Sequence, residues 1–145
     1  MEVKIKKLDP RAKLPRYGSP AAAGADLYAL LDEPLTVEPH ATAVLHTGIS
    51  AEIPEGNVGL VFARSSLGIK RGLAPANKVG VIDADYRGEI MVGLHNHSDA
   101  PQTVEPFERV AQLAIVPFIH ADFTGSEALS DTLRGEGGFG STGRT

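Results

Sequence analysis

The sequence predicts an all-β protein, an antiparallel jelly roll or distorted barrel with one short helix. Short apolar segments that alternate with a two-residue period recur along the chain, and its 10 prolines and 16 glycines separate them. A helical pattern is confined to one short segment near the middle of the chain. Strands do not alternate with helices, so an antiparallel fold is favoured over a parallel βαβ fold.

The first half of the chain contains most of the predicted strands. Strands are predicted over residues 3–8, 35–38, 41–53 and 58–63, the third of them bending near Gly48. Residues 21–31 fit either a short helix or a strand, and Gly24 with the following Asp-Leu-Tyr favours the strand. The prolines between residues 10 and 20 predict an irregular segment.

The second half begins with the only predicted helix, over residues 64–72, with a serine as its N-cap and Gly72 as its end. Residues 79–94 then predict a β-hairpin with a polar tip. Strands over residues 102–106 and 109–118 follow, and Gln112 is the polar residue on the second of them. Its neighbours Ala111, Leu113 and Ile115 share the opposite face.

Composition excludes several classes of function. The chain of 145 residues carries 14 basic and 18 acidic side chains, so it is not expected to bind nucleic acid or an anionic membrane. It contains no cysteine, which excludes disulfides and thiolate metal sites. The N-terminus does not resemble a signal peptide, and no apolar run approaches the length of a membrane span. A cytoplasmic location is therefore expected.

The tip of the predicted hairpin concentrates reactive side chains in Asp83, Asp85, Tyr86 and Arg87. Asp83 shares a strand face with the valines before it, so partial desolvation can prepare its carboxylate as a general base. The alternative is that both aspartates form the turn by hydrogen bonding to their own backbone.

Three segments carry groups that suit phosphate. Arg64, Ser65 and Ser66 lie where a strand enters the predicted helix, although simple capping is an alternative. Gln112 can donate its amide to a phosphate, or it can face solvent. The glycine-rich end of the chain, with Arg134 and the aromatic Phe139, can wrap an anion and stack on a base, or it can be a disordered tail.

Histidines offer a weaker alternative. His95 and His97 have the spacing of two zinc ligands on one strand face, but neither a cysteine nor a suitably spaced acid joins them. We interpret both as structural or solvated residues.

Five segments, in this order, resemble the five motifs of the trimeric deoxyuridine triphosphatase (dUTPase) family. They are residues 23–29, 64–68, 77–88, 109–113 and 134–143, which together span nearly the whole chain. Two residues depart from the pattern: Ala63 stands where many relatives carry proline, and Ser66 where many carry glycine.

The resemblance implies a homotrimeric jelly roll, over residues 1–133, with a flexible C-terminal arm, residues 134–145, as a lid over active sites shared between subunits. It implies hydrolysis of dUTP to dUMP and diphosphate, which removes dUTP and supplies dUMP for thymidylate synthesis. Asp83 is implied as the base that activates water and holds the 3′-hydroxyl, and Tyr86 as the residue that packs on deoxyribose. Asn77 and the backbone around Gly80 are implied to read uracil.

The resemblance also implies contacts to the triphosphate and its Mg²⁺. The phosphates are implied to lie among Arg64, Ser65, Ser66 and Gln112. Asp26 is implied to meet Mg²⁺ through water. Arg134, Phe139 and Ser141 are implied to close over the nucleotide from another subunit.

Two rival functions are distinguishable. A dCTP deaminase resembles this family in fold and in an Arg-Ser-Ser-Leu-Gly segment, but it needs a glutamate in the base pocket, where this chain has Asp83-Ala84-Asp85-Tyr86. A catalytically silent nucleotide-binding or protein-binding trimer predicts a broken motif, and all five motifs here keep their key side chains. Release of diphosphate from dUTP, compared with release of ammonia from dCTP, separates these functions.

Overall fold

Antiparallel β-structure dominates the computed structural model, which describes residues 1–138. Each strand is antiparallel to its sheet neighbours. In chain order the elements are β1 Lys4–Lys7, β2 Arg16–Tyr17, β3 Ala25–Tyr28, β4 Leu35–Val37, β5 Thr42–His46, β6 Ile49–Glu52, β7 Asn57–Phe62, α1 Ser65–Arg71, β8 Leu73–Pro75, β9 Gly80–Ile82, β10 Met91–Asn96, β11 Gln102–Val104 and β12 Arg109–Pro117. The predicted all-β jelly-roll class is confirmed.

The largest sheet has five strands in the order β2-β3-β12-β7-β9. Strand β12 lies between β3 and β7, and Gln112 is opposite Asp26 on one side and Phe62 on the other. Since Arg64 follows shortly after β7, this register brings three separate segments of sequence to one end of the sheet. A three-stranded sheet, β5-β10-β8, and two strand pairs, β1-β6 and β11-β4, complete the fold.

The core lies between these sheets and consists of aliphatic side chains. Its largest fully buried members include Leu27, Leu45, Ile49, Leu73 and Leu94. Burying each such side chain stabilises the fold by about 1.5–3 kcal/mol relative to exposure. Strand β12 contributes buried Ala111 and Leu113, while Gln112 is half-buried, so the alternation predicted for this strand is confirmed.

Two ambiguities of the first half are resolved by backbone geometry. Residues 21–31 contain the short strand β3 and no helix. The long strand predicted over residues 41–53 is two strands, β5 and β6, which separate at Gly48 with a φ of 70°. A Cβ at Gly48 would lie 2.6 Å from Cδ2 of Leu30, so the chain needs glycine there for both space and conformation.

Helix α1 confirms the predicted segment but not its cap. Arg64 occupies the N-cap position in an extended conformation, and no side chain caps the helix, so the predicted serine N-cap is wrong. The side chain of Arg64 is held by contacts outside the helix. Ser65 and Ser66 lie in the first turn of the helix rather than at its N-cap. Gly72 ends the helix as predicted, with a φ of 67°.

The predicted hairpin over residues 79–94 is also wrong. Strand β9 pairs with β7 in the large sheet, whereas β10 pairs with β5 and β8 in the three-stranded sheet. Residues 83–90 therefore cross from one sheet to the other. The alternation identified both strands correctly, but their partners lie far away in sequence.

Beyond β12, residues 118–133 run without regular secondary structure and leave large apolar side chains in solvent. Ile119, Phe123, Leu129 and Leu133 are each at least 89% exposed. We call this segment the apolar arm. No helix within residues 1–138 is long and apolar enough to cross a membrane.

Candidate active site

A buried carboxylate between two guanidinium groups forms the first part of the site. Asp26 lies on β3, and its side chain is only 12% exposed. Nε of Arg64 donates to Oδ1 of Asp26 at 2.8 Å, and Nη1 of Arg109 donates to Oδ2 at 3.2 Å. A buried carboxylate requires such partners, and here the two cations exceed the one anion, so the cluster carries an excess positive charge.

Exposed hydroxyl groups and a further cation surround this cluster. Nη1 of Arg64 lies 3.3 Å from Oγ of Ser66, and both Ser65 and Ser66 are exposed in the first turn of α1. Lys70 lies one helical turn beyond Ser66. A cleft of about 340 Å³ opens here, lined by Arg64, Ser66, Lys70 and Arg109 among others. We call it the cationic cleft.

The side chain of Gln112 contacts the backbone at the same end of the large sheet. Its Nε2 donates to the carbonyl oxygen of Ala63 at 2.9 Å, immediately before Arg64. Gly24 leaves room for this side chain, since a Cβ there would lie 2.6 Å from Oε1 of Gln112. One N–H of the amide therefore fixes the side chain to the turn that carries Arg64, and its second N–H is not used by this contact.

A second pocket, of about 470 Å³, lies between β9 and β10. The predicted base and sugar residues Asn77, Gly80, Asp83 and Tyr86 all line it, together with apolar side chains from both strands. The amide Nδ2 of Asn77 lies beside Gly80, 3.5 Å from the place where a Cβ would stand. We call this cavity the base pocket.

Asp83 lies at the edge of the base pocket, directly after β9. Val81 is 63% exposed and Ile82 is 8% exposed, so Asp83 continues the outward face of the strand. The partial desolvation predicted for Asp83 is not found in the single chain, because Ile82 rather than Val81 turns to the core and leaves Asp83 exposed. Asp83 also lines a broader cleft with Phe118 and His120.

Tyr86 is fixed by three contacts within the turn that links the two sheets. Its N–H donates to the carbonyl oxygen of Asp83 at 3.1 Å. Its hydroxyl donates to the carbonyl oxygen of Glu89 at 2.9 Å. Its ring packs over Gly88, where a Cβ would lie 2.5 Å from Cζ. The ring therefore stands at the pocket in one defined position although it is 42% exposed.

The predicted residues thus form two groups in one chain. Asp26, Arg64, Ser66 and Gln112 lie at the cationic end of the large sheet, whereas the base pocket holds the residues predicted for base and sugar, and the two cavities share no lining residue. Arg134 is exposed, and its Nε donates to the carbonyl oxygen of Gly137 at 2.7 Å. The roles predicted for Phe139 and Ser141 concern positions outside the described residues.

Metal ligation by the protein alone has little support in the described part of the chain. Within residues 1–138, no group of three or more histidine or acidic side chains is arranged to hold a metal ion. Asp26 already accepts a guanidinium hydrogen bond on each oxygen. Residues 1–138 of one chain therefore form no cage for a resident Mg²⁺.

The histidine pair has a structural explanation. The rings of His95 and His97 meet edge to face with centroids 4.4 Å apart, and Nδ1 of His95 is hydrogen-bonded to Oγ1 of Thr42 at 2.9 Å. Desolvation lowers the pKa of His97, and the charges of Lys78, His95 and His40 lower it further. Among residues 1–138 no third ligand joins the pair.

Sequence reasoning gave no role to three residues that the structure places at these sites. Arg109 shares Asp26 with Arg64, Lys70 lines the cationic cleft, and Glu89 lines the base pocket. Arg109 belongs to a motif segment, so its position was available, but its ion pair spans 83 residues of sequence. The i,i+4 spacing of Ser66 and Lys70 on the predicted helix was a usable signal for Lys70.

Comparison with known proteins gives a consistent result. The dUTPase family model matches residues 10–143. The deoxyuridine 5′-triphosphate nucleotidohydrolase of Thiobacillus denitrificans is 46% identical over 145 residues, covering 99% of both chains. The enzyme of the same name from Desulfitobacterium hafniense is 49% identical over 136 residues, covering 93% of this chain and 90% of its own.

Solved structures of dUTPases are also similar to this chain. The dUTPase of Staphylococcus bacteriophage 80alpha with dUPNHPP superposes with a TM-score of 0.89 at 30% identity, covering 98% of each chain. A mutant dUTPase from phage phi11 of S. aureus, described with a structural Mg(II) ion, gives a TM-score of 0.77 at 26% identity and covers 88% of this chain and 98% of its own.

Proposed function

The chain belongs to the dUTPase family, and from this premise we propose that it hydrolyses dUTP to dUMP and diphosphate by attack of water on the α-phosphorus. The observation that carries the proposal is the pairing of a base pocket edged by Asp83 and Tyr86 with a separate cationic cleft around Arg64. A nucleoside triphosphate needs both, because its base and sugar are largely uncharged whereas its phosphates are strongly anionic.

Asp83 is proposed as the general base. An exposed carboxylate at the pocket edge can accept a proton from water and direct that water at phosphorus. Phosphoryl substitution requires a positioned nucleophile and charge neutralisation, with little covalent participation by the protein. The same carboxylate is proposed to hold the 3′-hydroxyl of the sugar.

The base pocket is proposed to select uracil and deoxyribose. Asn77 and the backbone around Gly80 offer amide and carbonyl groups to the uracil edge, and a cytosine presents the reversed pattern of donors and acceptors. Buried polar groups left unpaired cost about 1–3 kcal/mol each, which penalises dCTP. Tyr86, fixed over Gly88, is proposed to pack on the deoxyribose and exclude a 2′-hydroxyl.

The cationic cleft is proposed to hold the phosphates. Arg64, Ser65, Ser66 and Gln112 supply a cation, hydroxyls and an amide at one end of the large sheet. The ion pairs from Arg64 and Arg109 to Asp26 hold both guanidinium groups in place before substrate arrives. A donor that is already oriented stabilises developing charge without reorganising in the reaction.

Mg²⁺ is proposed to arrive as part of the substrate, chelated by the triphosphate. Its chemistry is neutralisation of phosphate charge, and phosphate oxygens with water supply most of its coordination. Both oxygens of Asp26 hold guanidinium groups, so Asp26 is proposed to meet the hydrated ion through water rather than directly.

A homotrimer of closed three-fold symmetry is proposed as the active form. Two observations support it: the two parts of the site lie apart in one chain, and the apolar arm exposes Phe123, Leu129 and Leu133. Residues 1–133 are proposed to form the folded unit. Residues 134–145 are proposed as a lid that brings Arg134, Phe139 and Ser141 over the nucleotide of another subunit.

The cellular role proposed for this activity is to remove dUTP and supply dUMP for thymidylate synthesis in the cytoplasm. The direct test measures diphosphate and dUMP from dUTP beside ammonia from dCTP. Diphosphate from dUTP with no ammonia from dCTP supports the proposal. Ammonia release identifies a deaminase, and binding without either product identifies a catalytically silent protein.

The shared site has its own test in mixed trimers. Asp83→Asn and Arg64→Ala chains, each inactive alone, are refolded together in equal amounts. If a site takes Asp83 from one subunit and Arg64 from another, about one quarter of the sites recover both native residues, so about a quarter of the parent activity returns. If each site lies within one subunit, no activity returns.

A further inference from the structure

We infer that Glu89 is a positioning residue that fixes the orientation of the Tyr86 ring at the base pocket. This inference rests on the proposed function. Glu89 lies in the segment that crosses between the sheets, immediately before Ile90. Its side chain is 21% exposed and belongs to the lining of the base pocket. It lies just outside the third family-like segment, residues 77–88, and no step of the proposed reaction uses it.

Both carboxylate oxygens of Glu89 are engaged with the junction between β5 and β6. Oε1 accepts the backbone N–H of Gly48 at 2.7 Å, and Oε2 is hydrogen-bonded to Nδ1 of His46 at 2.8 Å. Gly48 is buried, so its N–H depends on this acceptor. The carboxylate thus ties the crossing segment to the three-stranded sheet.

The same residue meets Tyr86 through its backbone. The carbonyl oxygen of Glu89 accepts the hydroxyl of Tyr86 at 2.9 Å, so the place of this carbonyl fixes the outer end of the ring. The N–H of Ile90 belongs to the same planar peptide unit as this carbonyl, and it donates to the carbonyl oxygen of Ile49 at 2.9 Å. Beyond it, Oγ1 of Thr47 donates to the carbonyl oxygen of Ile90 at 2.5 Å. The side chain of Glu89 therefore holds the peptide unit that accepts from Tyr86 on its N-terminal side, and the bond to Ile49 holds it on its C-terminal side.

The contact with Gly48 matters more than the contact with His46. Burial raises the pKa of Glu89, but hydrogen bonds from His46 and from Gly48 outweigh it and hold the pKa below its ordinary value. His46 is 61% exposed, so solvent screens its part of the pair. A neutral amide that still accepts from the N–H of Gly48 should therefore replace the carboxylate.

The test compares Glu89→Ala with Glu89→Gln in the full chain. The measured quantity is the ratio of kcat/KM for dUTP to kcat/KM for UTP, because sugar discrimination reports the position of Tyr86. We expect the ratio to fall about tenfold in Glu89→Ala, the effect of losing one buried hydrogen bond, and to stay near the parent value in Glu89→Gln.

Asp9→Ala is the matched control for stability. The side chain of Asp9 is 28% exposed, its Oδ1 accepts the backbone N–H of Arg11 at 2.8 Å, and its Oδ2 pairs with Nη2 of Arg11 at 2.9 Å. Its loss should lower the melting temperature as Glu89→Ala does, yet leave the dUTP to UTP ratio unchanged. A common fall of the ratio in both variants would show a general loss of rigidity and overturn the inference.

Other outcomes are equally decisive. An unchanged ratio in Glu89→Ala, with the parent active on dUTP, overturns the inference and leaves the proposed function intact. If Glu89→Ala does not fold, Glu89→Asp replaces it: one methylene shorter, its carboxylate should lose the hold on Gly48 and lower the ratio, and an unchanged ratio overturns the inference. A parent chain that does not hydrolyse dUTP removes the proposed function and the inference together.

Discussion

Replacing Gly88 by alanine tests whether the fixed position of Tyr86 matters for catalysis. The backbone at Gly88 does not have a positive φ, so alanine fits its conformation. The obstacle is steric alone: the new Cβ would stand 2.5 Å from Cζ and 2.9 Å from Cε2 of Tyr86. Ordinary carbon contacts are about 3.5–4.0 Å apart, so the ring must move by about 1 Å or more.

The magnitude follows from that displacement. Moving the ring separates the Tyr86 hydroxyl from the Glu89 carbonyl oxygen, a hydrogen bond worth about 1 kcal/mol. A misplacement of about 1 Å next to a reacting substrate can cost about 10²-fold in rate. We therefore expect kcat/KM for dUTP to fall about 10- to 100-fold in Gly88→Ala, and discrimination against UTP to weaken.

The assay is steady-state hydrolysis of dUTP and UTP, with melting temperatures to confirm that the variants fold. Gly18→Ala is the control, since a Cβ there has no heavy atom within 4 Å and should change nothing. The double variant Gly88→Ala with Tyr86→Ala should be no worse than Tyr86→Ala alone, because both act through one ring. Parent-like kinetics in Gly88→Ala, or additive losses in the double variant, would refute the reasoning.

Three further predictions concern the base, the lid and pH. Asp83→Asn should lower kcat by about 10²–10⁴-fold while dUTP still binds, as kinetics and calorimetry can show; near-normal turnover would reject Asp83 as the base. Removing the residues after Leu133 should leave the melting temperature and the trimer unchanged but abolish most hydrolysis of dUTP. Phe139→Trp should keep more activity than Phe139→Ala, because tryptophan can still stack on the base. Full activity of the truncated chain would contradict the role of these residues as a lid. The pKa of Glu89 in the folded protein is held below its ordinary value of 4.5, so its ionised carboxylate contributes fully to stability above that pH. This contribution is lost as the pH falls through the lower pKa of the folded protein. The stability of Glu89→Gln should therefore fall less with pH in this range than that of the parent, and identical acid-unfolding curves for the two proteins would contradict the prediction.

Local patterns in the sequence were sufficient for most strands and for the side chains that face outward from them. The alternation in β12 predicted that Gln112 lies on the other face of the strand from Ala111 and Leu113, and the structure confirms that arrangement. Gly72 ended the helix because a left-handed residue is required there. These features depend on neighbours a few residues away, which the sequence displays directly.

Features that depend on distant partners were missed. Residues 79–94 have the pattern of a hairpin, but β9 pairs with β7 and β10 pairs with β5, in two different sheets. Arg64, rather than a serine, holds the start of α1 because its guanidinium reaches Asp26, 38 residues away in sequence. The exposure of Asp83 likewise follows from how Ile82 meets the core, which no local pattern records.

The central claim is that this chain cleaves dUTP at the α-phosphorus with water. Hydrolysis in water enriched with ¹⁸O, followed by mass spectrometry of both products, tests it directly. The proposed reaction places the label in dUMP and none in diphosphate. Label in diphosphate, or formation of dUDP with inorganic phosphate, would contradict the account.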